Sequence, residues 1–204
     1  MAPLDADAQA RIEDRFSKAQ ATTRAPLEGV IVAASGDYES RALAWALAAA
    51  LLAPLPMVLF THWSAWRIFT VQLLIALVLA AASLAPRLAA ALTGLRAKRL
   101  SVHRAAMAQF VARGLDRAPG NEGVLIYVSL AEHLARVQAG EGALAAVPMQ
   151  QWQALIDALV RRIGSGDLEG ALEEAADRAG TLLSAALPAD PRSPPRPRRH
   201  FHAI

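Results

Sequence analysis

Residues 123–130 read GVLIYVSL, eight positions without a charge and apolar on both faces. That pattern predicts a strand at the centre of a sheet covered by helices on each side. Residues 134–138 (LARVQ) predict a second strand, joined to the first by a short turn at Glu132-His133. Further along, Gly140-Glu141-Gly142 predicts a loop. Pro148 suits the first turn of a helix whose Trp152, Leu155, Ile156, Leu159 and Ile163 share one face. Gly164-Ser165-Gly166 breaks that helix. Asp167 caps a last one, with Leu168, Leu172, Ala175, Ala179, Leu182 and Leu183 on its buried stripe. Five prolines among residues 188–197 are expected to end regular structure, leaving Pro191 to Arg199 extended or disordered, with residues 189–199 adding no fold stability but supporting membrane-surface contact.

Upstream of the central strand, residues 97–115 predict a basic amphipathic helix. Leu100, Met107, Val111 and Leu115 share a face that can lie along a membrane surface or pack on the domain core; packing is expected, because a strand follows at once. Near the N-terminus, residues 5–24 predict a polar helix capped by Asp5 or Asp7, with Ile12, Phe16 and Ala19 at helical spacing. Residues 27–35 (LEGVIVAAS) predict a buried strand, closed by a turn at Gly36-Asp37-Tyr38. A strand needs partners, and the natural one for 27–35 is 123–130.

Between those strands lie two uncharged runs, 42–66 (ALAWALAAALLAPLPMVLFTHWSAW) and 68–86 (IFTVQLLIALVLAAASLAP), separated only by Arg67. An apolar helix of roughly 20 residues spans a bilayer, so the pair predicts a transmembrane helical hairpin. Trp45 is expected at the inner boundary, and Trp63 and Trp66 at the outer turn, because aromatic rings favour both interfaces. Directly after the second run, residues 87–117 carry a net +6 (Arg87, Arg96, Lys98, Arg99, Arg104, Arg113 and Arg117 against Asp116). The positive-inside rule places that side in the cytoplasm. Two crossings return the chain to its starting side, so both termini are expected there, at a bacterial inner membrane. The same basic residues suit contact with anionic head groups. No aromatic interleaving or motif supports nucleic-acid binding.

The chain has no cysteine, which excludes disulfides, thiolate catalysis and cysteine-ligated zinc. The expected division is 1–40 (first helix and strand), 41–92 (hairpin), 93–188 (main α/β part) and 189–204 (Pro/Arg-rich tail).

The order of elements in the second half carries a resemblance. A basic helix, GVLIYVSL, a return strand ending in AGEG, a Trp-containing helix, GSGDLEGALEEA and a helix ending in LP follow one another over residues 100–188. The residues that carry it are Phe110, Gly114, Gly123, Val124, Leu125, Ser129, Glu132, Gly142, Trp152, Gly166, Gly170 and Pro188. This resembles the TPM domain, named for thylakoid lumenal and photosystem II repair proteins and a nematode receptor modulator, and looks closest to its bacterial membrane-anchored branch. The resemblance implies an α/β fold, a small sheet sandwiched by helices, with the hairpin inserted after the first strand. Some relatives are secreted or lumenal, whereas the charges here point to the cytoplasm.

Plant members are associated with a phosphatase activity, which directs attention to polar residues near strand ends. Metal-assisted phosphate hydrolysis needs several carboxylates converging on a hard cation. The candidates for a divalent cation are Asp37, Glu39, Glu132, Glu141 and Asp167, with Glu122 and His133 nearby. They are scattered and no pair has a diagnostic spacing. Asp167 has a sufficient role as a helix cap, and Glu132 is placed to pair with Arg136 across the turn. Ser129 lacks nucleophile-elbow glycines and reads as a packed hydroxyl. His200 and His202 form a weak metal pair without carboxylate or cysteine partners. No cofactor is expected. The reading is a membrane-anchored TPM-type accessory or interaction domain with the bilayer and a membrane-associated protein as partners. A weak metal-dependent phosphatase is the alternative.

Overall fold

The computed structural model describes residues 4–36, 44, 47–60, 62–83, 95–190 and 199–204. Its helices are α1 (Ala6–Ala21), α2 (Pro54–Phe60), α3 (Ala65–Ser83), α4 (Leu95–Ala112), α5 (Glu141–Ala146), α6 (Met149–Gly164) and α7 (Leu168–Ala186). The strands are β1 (Leu27–Val32), β2 (Val124–Ser129), β3 (Leu134–Ala139) and β4 (Phe201–Ala203). Two compact units result, one formed by Met1–Ser35 with Arg99–Ile204 and the other by Gly36–Lys98.

The first unit is an α/β fold around a four-stranded mixed sheet in the order β3-β2-β1-β4. As expected, β1 pairs with β2, in parallel, from Leu27 opposite Val124 to Val32 opposite Ser129. The return strand β3 pairs antiparallel with β2. Alternation sends Leu27, Ile31, Val124, Ile126 and Val128 into one core with α1, α6 and α7. Val30, Val32, Leu125 and Tyr127 point to the other face, under Val102, Ala106 and Phe110 of α4. Both faces of β2 are thus covered, which is why its sequence carries no polar alternation.

Local rules account for the helices of this unit. Asp5 caps α1 by accepting from Ala8 N at 2.7 Å. Ile12 and Phe16 of α1 are completely buried. Trp152, Leu155 and Leu159 are the buried stripe of α6. Asp167 caps α7 by accepting from Gly170 N at 2.9 Å. Gln20 ends α1 as a buried clamp: its amide donates to Thr23 O and Ala25 O, and its carbonyl accepts from Leu27 N at 2.7 Å.

Three expectations need correction. The loop at 140–142 is the start of the short helix α5. Its glycines serve close approach: a Cβ on Gly142 would lie 2.1 Å from the carbonyl oxygen of Gly120. Gly142→Ala is therefore expected to lose about 1–3 kcal/mol, measured as a lower urea midpoint, because backbone cannot move aside as a side-chain tip can. Second, the tail does not end regular structure. Phe201–Ala203 returns as β4, parallel to β1. Third, the stripe of α4 that faces the sheet is Val102, Ala106 and Phe110; of the expected face Leu115, just past the helix, is buried, while Leu100, Met107 and Val111 stay exposed.

The expected hairpin lies partly outside the described residues. Among the described residues no helix is long and apolar enough to cross a membrane. With Arg67 in the first turn of α3, the uncharged part that follows, 68–83, rises about 24 Å, short of a ~30 Å hydrocarbon core. α2 has seven residues and follows helical residues 47–52 across a turn at Ala53. Residues 84–86 of the second apolar run lie outside the described residues.

Candidate functional site

Two clusters of buried polar residues lie on the α4 face of the sheet. One is at the carboxyl end of the parallel strands. Ser35 follows β1, Tyr127 and Ser129 project from β2, and Glu132 sits in the β2–β3 turn. Ser35 Oγ donates to Ser129 Oγ at 2.6 Å, and Ser129 Oγ donates in turn to Glu132 Oε2. Tyr127 OH lies 2.9 Å from Ser35 Oγ. With the Ser35 proton already committed, the tyrosine is the donor there. The result is a one-way chain, Tyr127 to Ser35 to Ser129 to Glu132, closed by Ser35 N donating to Glu132 Oε1 at 2.9 Å. Burial pushes the Tyr127 phenol up, with Glu132 adding to it against the opposing bond to Ser35.

Chemically this is a lock. Tyr127 and Ser129 are each 1% exposed, so neither hydroxyl meets a substrate in this arrangement. Both Glu132 oxygens accept from N–H or O–H donors. The lock ties the end of β1 to the β2–β3 turn. A buried network fully supplied with partners rigidifies what it joins. Beside it, a pocket of about 100 Å³ opens between the turn and α6, lined by Val128, Ser129, His133, Leu134, Val160, Ile163 and Gly164.

The second place is the β4 side. Glu28, on β1, is 4% exposed. Arg113 Nη1 donates to its Oε2 at 3.2 Å, and His202 Nε2 of β4 stands 3.8 Å from the same oxygen. Burial holds the His202 imidazole below its ordinary value, and Arg113 pushes the same way, against the pull of Glu28. The unfolded chain, near 6.5 for a free imidazole, thus takes up the proton first as pH falls. The stability this site contributes is full above that value and declines below it. A stability profile from about pH 7 to pH 5 is expected to slope downward, and His202→Asn to flatten part of that slope.

The remaining sequence candidates have separate places. Asp167 is the α7 cap, and Arg162 beside it, with the Gly170 N–H, holds its carboxyl below the usual range. Glu141 is exposed in the first turn of α5, where a negative charge suits the helix dipole. Glu122 accepts two bonds from Arg24, at 2.8 and 2.9 Å. Among the described residues no three His, Asp or Glu gather to hold a metal ion. Asp37, Glu39, Trp45 and Arg87 lie outside the described residues. Trp63 and Trp66 are exposed, with Arg67 in the first turn of α3; Arg96, Lys98 and Arg99 lie on α4.

Sequence reasoning passed over Ser35, Tyr127, Glu28 and Arg113. One signal was present: Glu28 is the single acid within an otherwise apolar strand. A buried acid of that kind needs a cation or donors from elsewhere in the chain.

Comparison with known proteins agrees with this architecture. The profile of the TPM domain family matches residues 89–182. That segment is a little under half of the chain and leaves out α1, β1 and β4. The fold is similar to the NMR structure of the BA42 protein from the psychrophilic bacterium Bizionia argentinensis. The TM-score is 0.59 at 14% identity, covering 97% of this chain and 93% of that one. No curated protein matches the chain.

Proposed function

We propose that the chain is a membrane-anchored TPM-type domain that acts as an accessory or interaction module, with the domain on the cytoplasmic face of a bacterial inner membrane. The observation that carries this reading is the apolar surface of the second unit. Phe60 is 84% exposed and Trp66 75%, and Leu73, Leu74, Leu77 and Val78 of α3 are likewise exposed. A helix apolar all round is at home in a protein core or in lipid. The uncharged run 68–86 has the residue count of a bilayer crossing. An interaction role fits a first unit whose polar groups are spent on holding elements together, beside a pocket lined mainly by apolar side chains.

The anchor is tested by alkaline washing of membranes from expressing cells. The chain is expected to stay in the pellet, and release into the wash would sink the reading. Orientation is tested by fusing to Ile204 a reporter active only outside the cytoplasm. No signal is expected, and a strong one would reverse the topology. Interaction is tested by crosslinking in intact cells through a photoreactive residue at His133, on the pocket rim. A discrete adduct is expected; its absence in the presence of adducts from other surface positions would remove the pocket as a contact.

A further inference from the structure

We infer that α4 is a second, peripheral membrane contact: its stripe Leu100, Met107 and Val111 lies in the interface of an anionic bilayer, beside Arg104. This rests on the anchored reading and names the surface the domain meets. The stripe is 47%, 39% and 46% exposed at its three residues, on a helix whose other side is already used. At 3.6 residues per turn, the middle of the Val102, Ala106 and Phe110 stripe lies about 120° round the helix from it. Covering the sheet therefore cannot also cover the stripe. Large apolar side chains aligned on an exposed helix face mark a contact with something apolar.

Charge decides which kind of partner. The sequence holds no Asp or Glu from residue 40 to residue 115. α4 thus has no acid, and Arg99 and Arg104 are exposed on it. Arg104 sits one turn from Leu100 and about 40° from the middle of the stripe. An apolar face with basic neighbours and no acids is the pattern of a helix lying in an anionic lipid interface. In that setting Met107 and Val111 enter the acyl boundary, while the arginine head stays at phosphate level on its flexible stem.

The absence of native cysteine allows a direct test with the full chain. Met107→Cys, Leu74→Cys and Gln150→Cys are each labelled with an environment-sensitive fluorophore. The proteins are then placed in phosphatidylcholine vesicles with or without phosphatidylglycerol, carrying lipid-borne quencher. Quenching at Leu74 reports the anchor and Gln150 on α6 is the control. The expected result is quenching at Met107 that requires phosphatidylglycerol, little at Gln150, and Leu74 quenched in both lipids. Each basic residue near an anionic surface contributes about fivefold, so Arg104→Glu is expected to weaken docking on the order of 25-fold, without changing Leu74. Leu74 quenched while Met107 is not would overturn the docking and leave the anchor standing. Leu74 unquenched would overturn the anchor, and Met107 quenching would then stand alone as peripheral binding. Equal Met107 quenching in both lipids would overturn the anionic part. A Met107 label already shielded in lipid-free detergent, in a concentration-dependent way, would overturn the lipid assignment in favour of a second copy of the chain.

Discussion

Phe16→Ala is expected to destabilise the sheet unit by about 3–5 kcal/mol, the usual cost of removing a buried aromatic ring without filling its space. The ring is fully buried and joins three elements at once. It belongs to α1, it stacks on Phe201 of β4 with centroids 5.9 Å apart, and it lies on Gly29 of β1. A Cβ at Gly29 would meet Phe16 Cζ at 2.5 Å. The pair therefore makes a sharper test than either residue. Gly29→Ala alone is expected to lose about 1–3 kcal/mol through overpacking. In the Phe16→Ala background the same change should cost almost nothing, because the ring it strikes is gone. Urea titration of the detergent-solubilised chain, followed by circular dichroism, gives both numbers. Additive losses would mean that Phe16 does not rest on Gly29 and that α1 packs elsewhere.

How far the sequence predicts this architecture depends on how local each cause is. β2 is legible because a strand covered on both faces must be apolar at every position, and GVLIYVSL is. β1 is legible for the same reason, in spite of Glu28. The caps at Asp5 and Asp167 are legible because a capping bond spans only three residues. The orientation of α4 is not, because that helix has two apolar stripes. Both Val102–Ala106–Phe110 and Leu100–Met107–Val111 satisfy helical periodicity, and only the sheet decides which one is taken. The Gly142 position reads as a turn from composition, whereas its cause is the nearness of Gly120, which no short window contains. The polar lock shows the same limit. Ser129 and Glu132 are three residues apart, but Ser35 is 94 residues from Ser129, and Arg113 is 85 from Glu28. Their convergence is a property of the parallel pairing of β1 with β2, and of α4 returning across it.

Ending the chain at residue 198, so that β4 is lost, is expected to cost at least as much as Phe201→Ala, about 3–5 kcal/mol, and to leave a unit of ordinary stability close to unfolding. Three residues flanked by a Pro/Arg-rich stretch carry no periodic signal, yet their contribution is large for physical reasons. Phe201 is 1% exposed and fills the core beside Phe16. Gly29 N donates to His200 O at 2.7 Å and Ile204 N to Ile31 O at 2.9 Å, so β4 covers the edge of β1. Glu13 of α1 accepts from His200 N at 2.8 Å and from Phe201 N at 2.6 Å. Truncation would expose the apolar floor left by Phe201, leave β1 with an open edge, and strip Glu13 of both donors. An open edge is also a template for pairing with other chains, so the truncated protein is expected to aggregate in dilute detergent where the full chain stays monodisperse. Phe201→Leu separates the two effects: it keeps the strand and most of the apolar volume, and should recover solubility with a smaller loss of stability. A truncated chain that melts within about 0.5 kcal/mol of the intact one would show that β4 does not pair with β1 in solution.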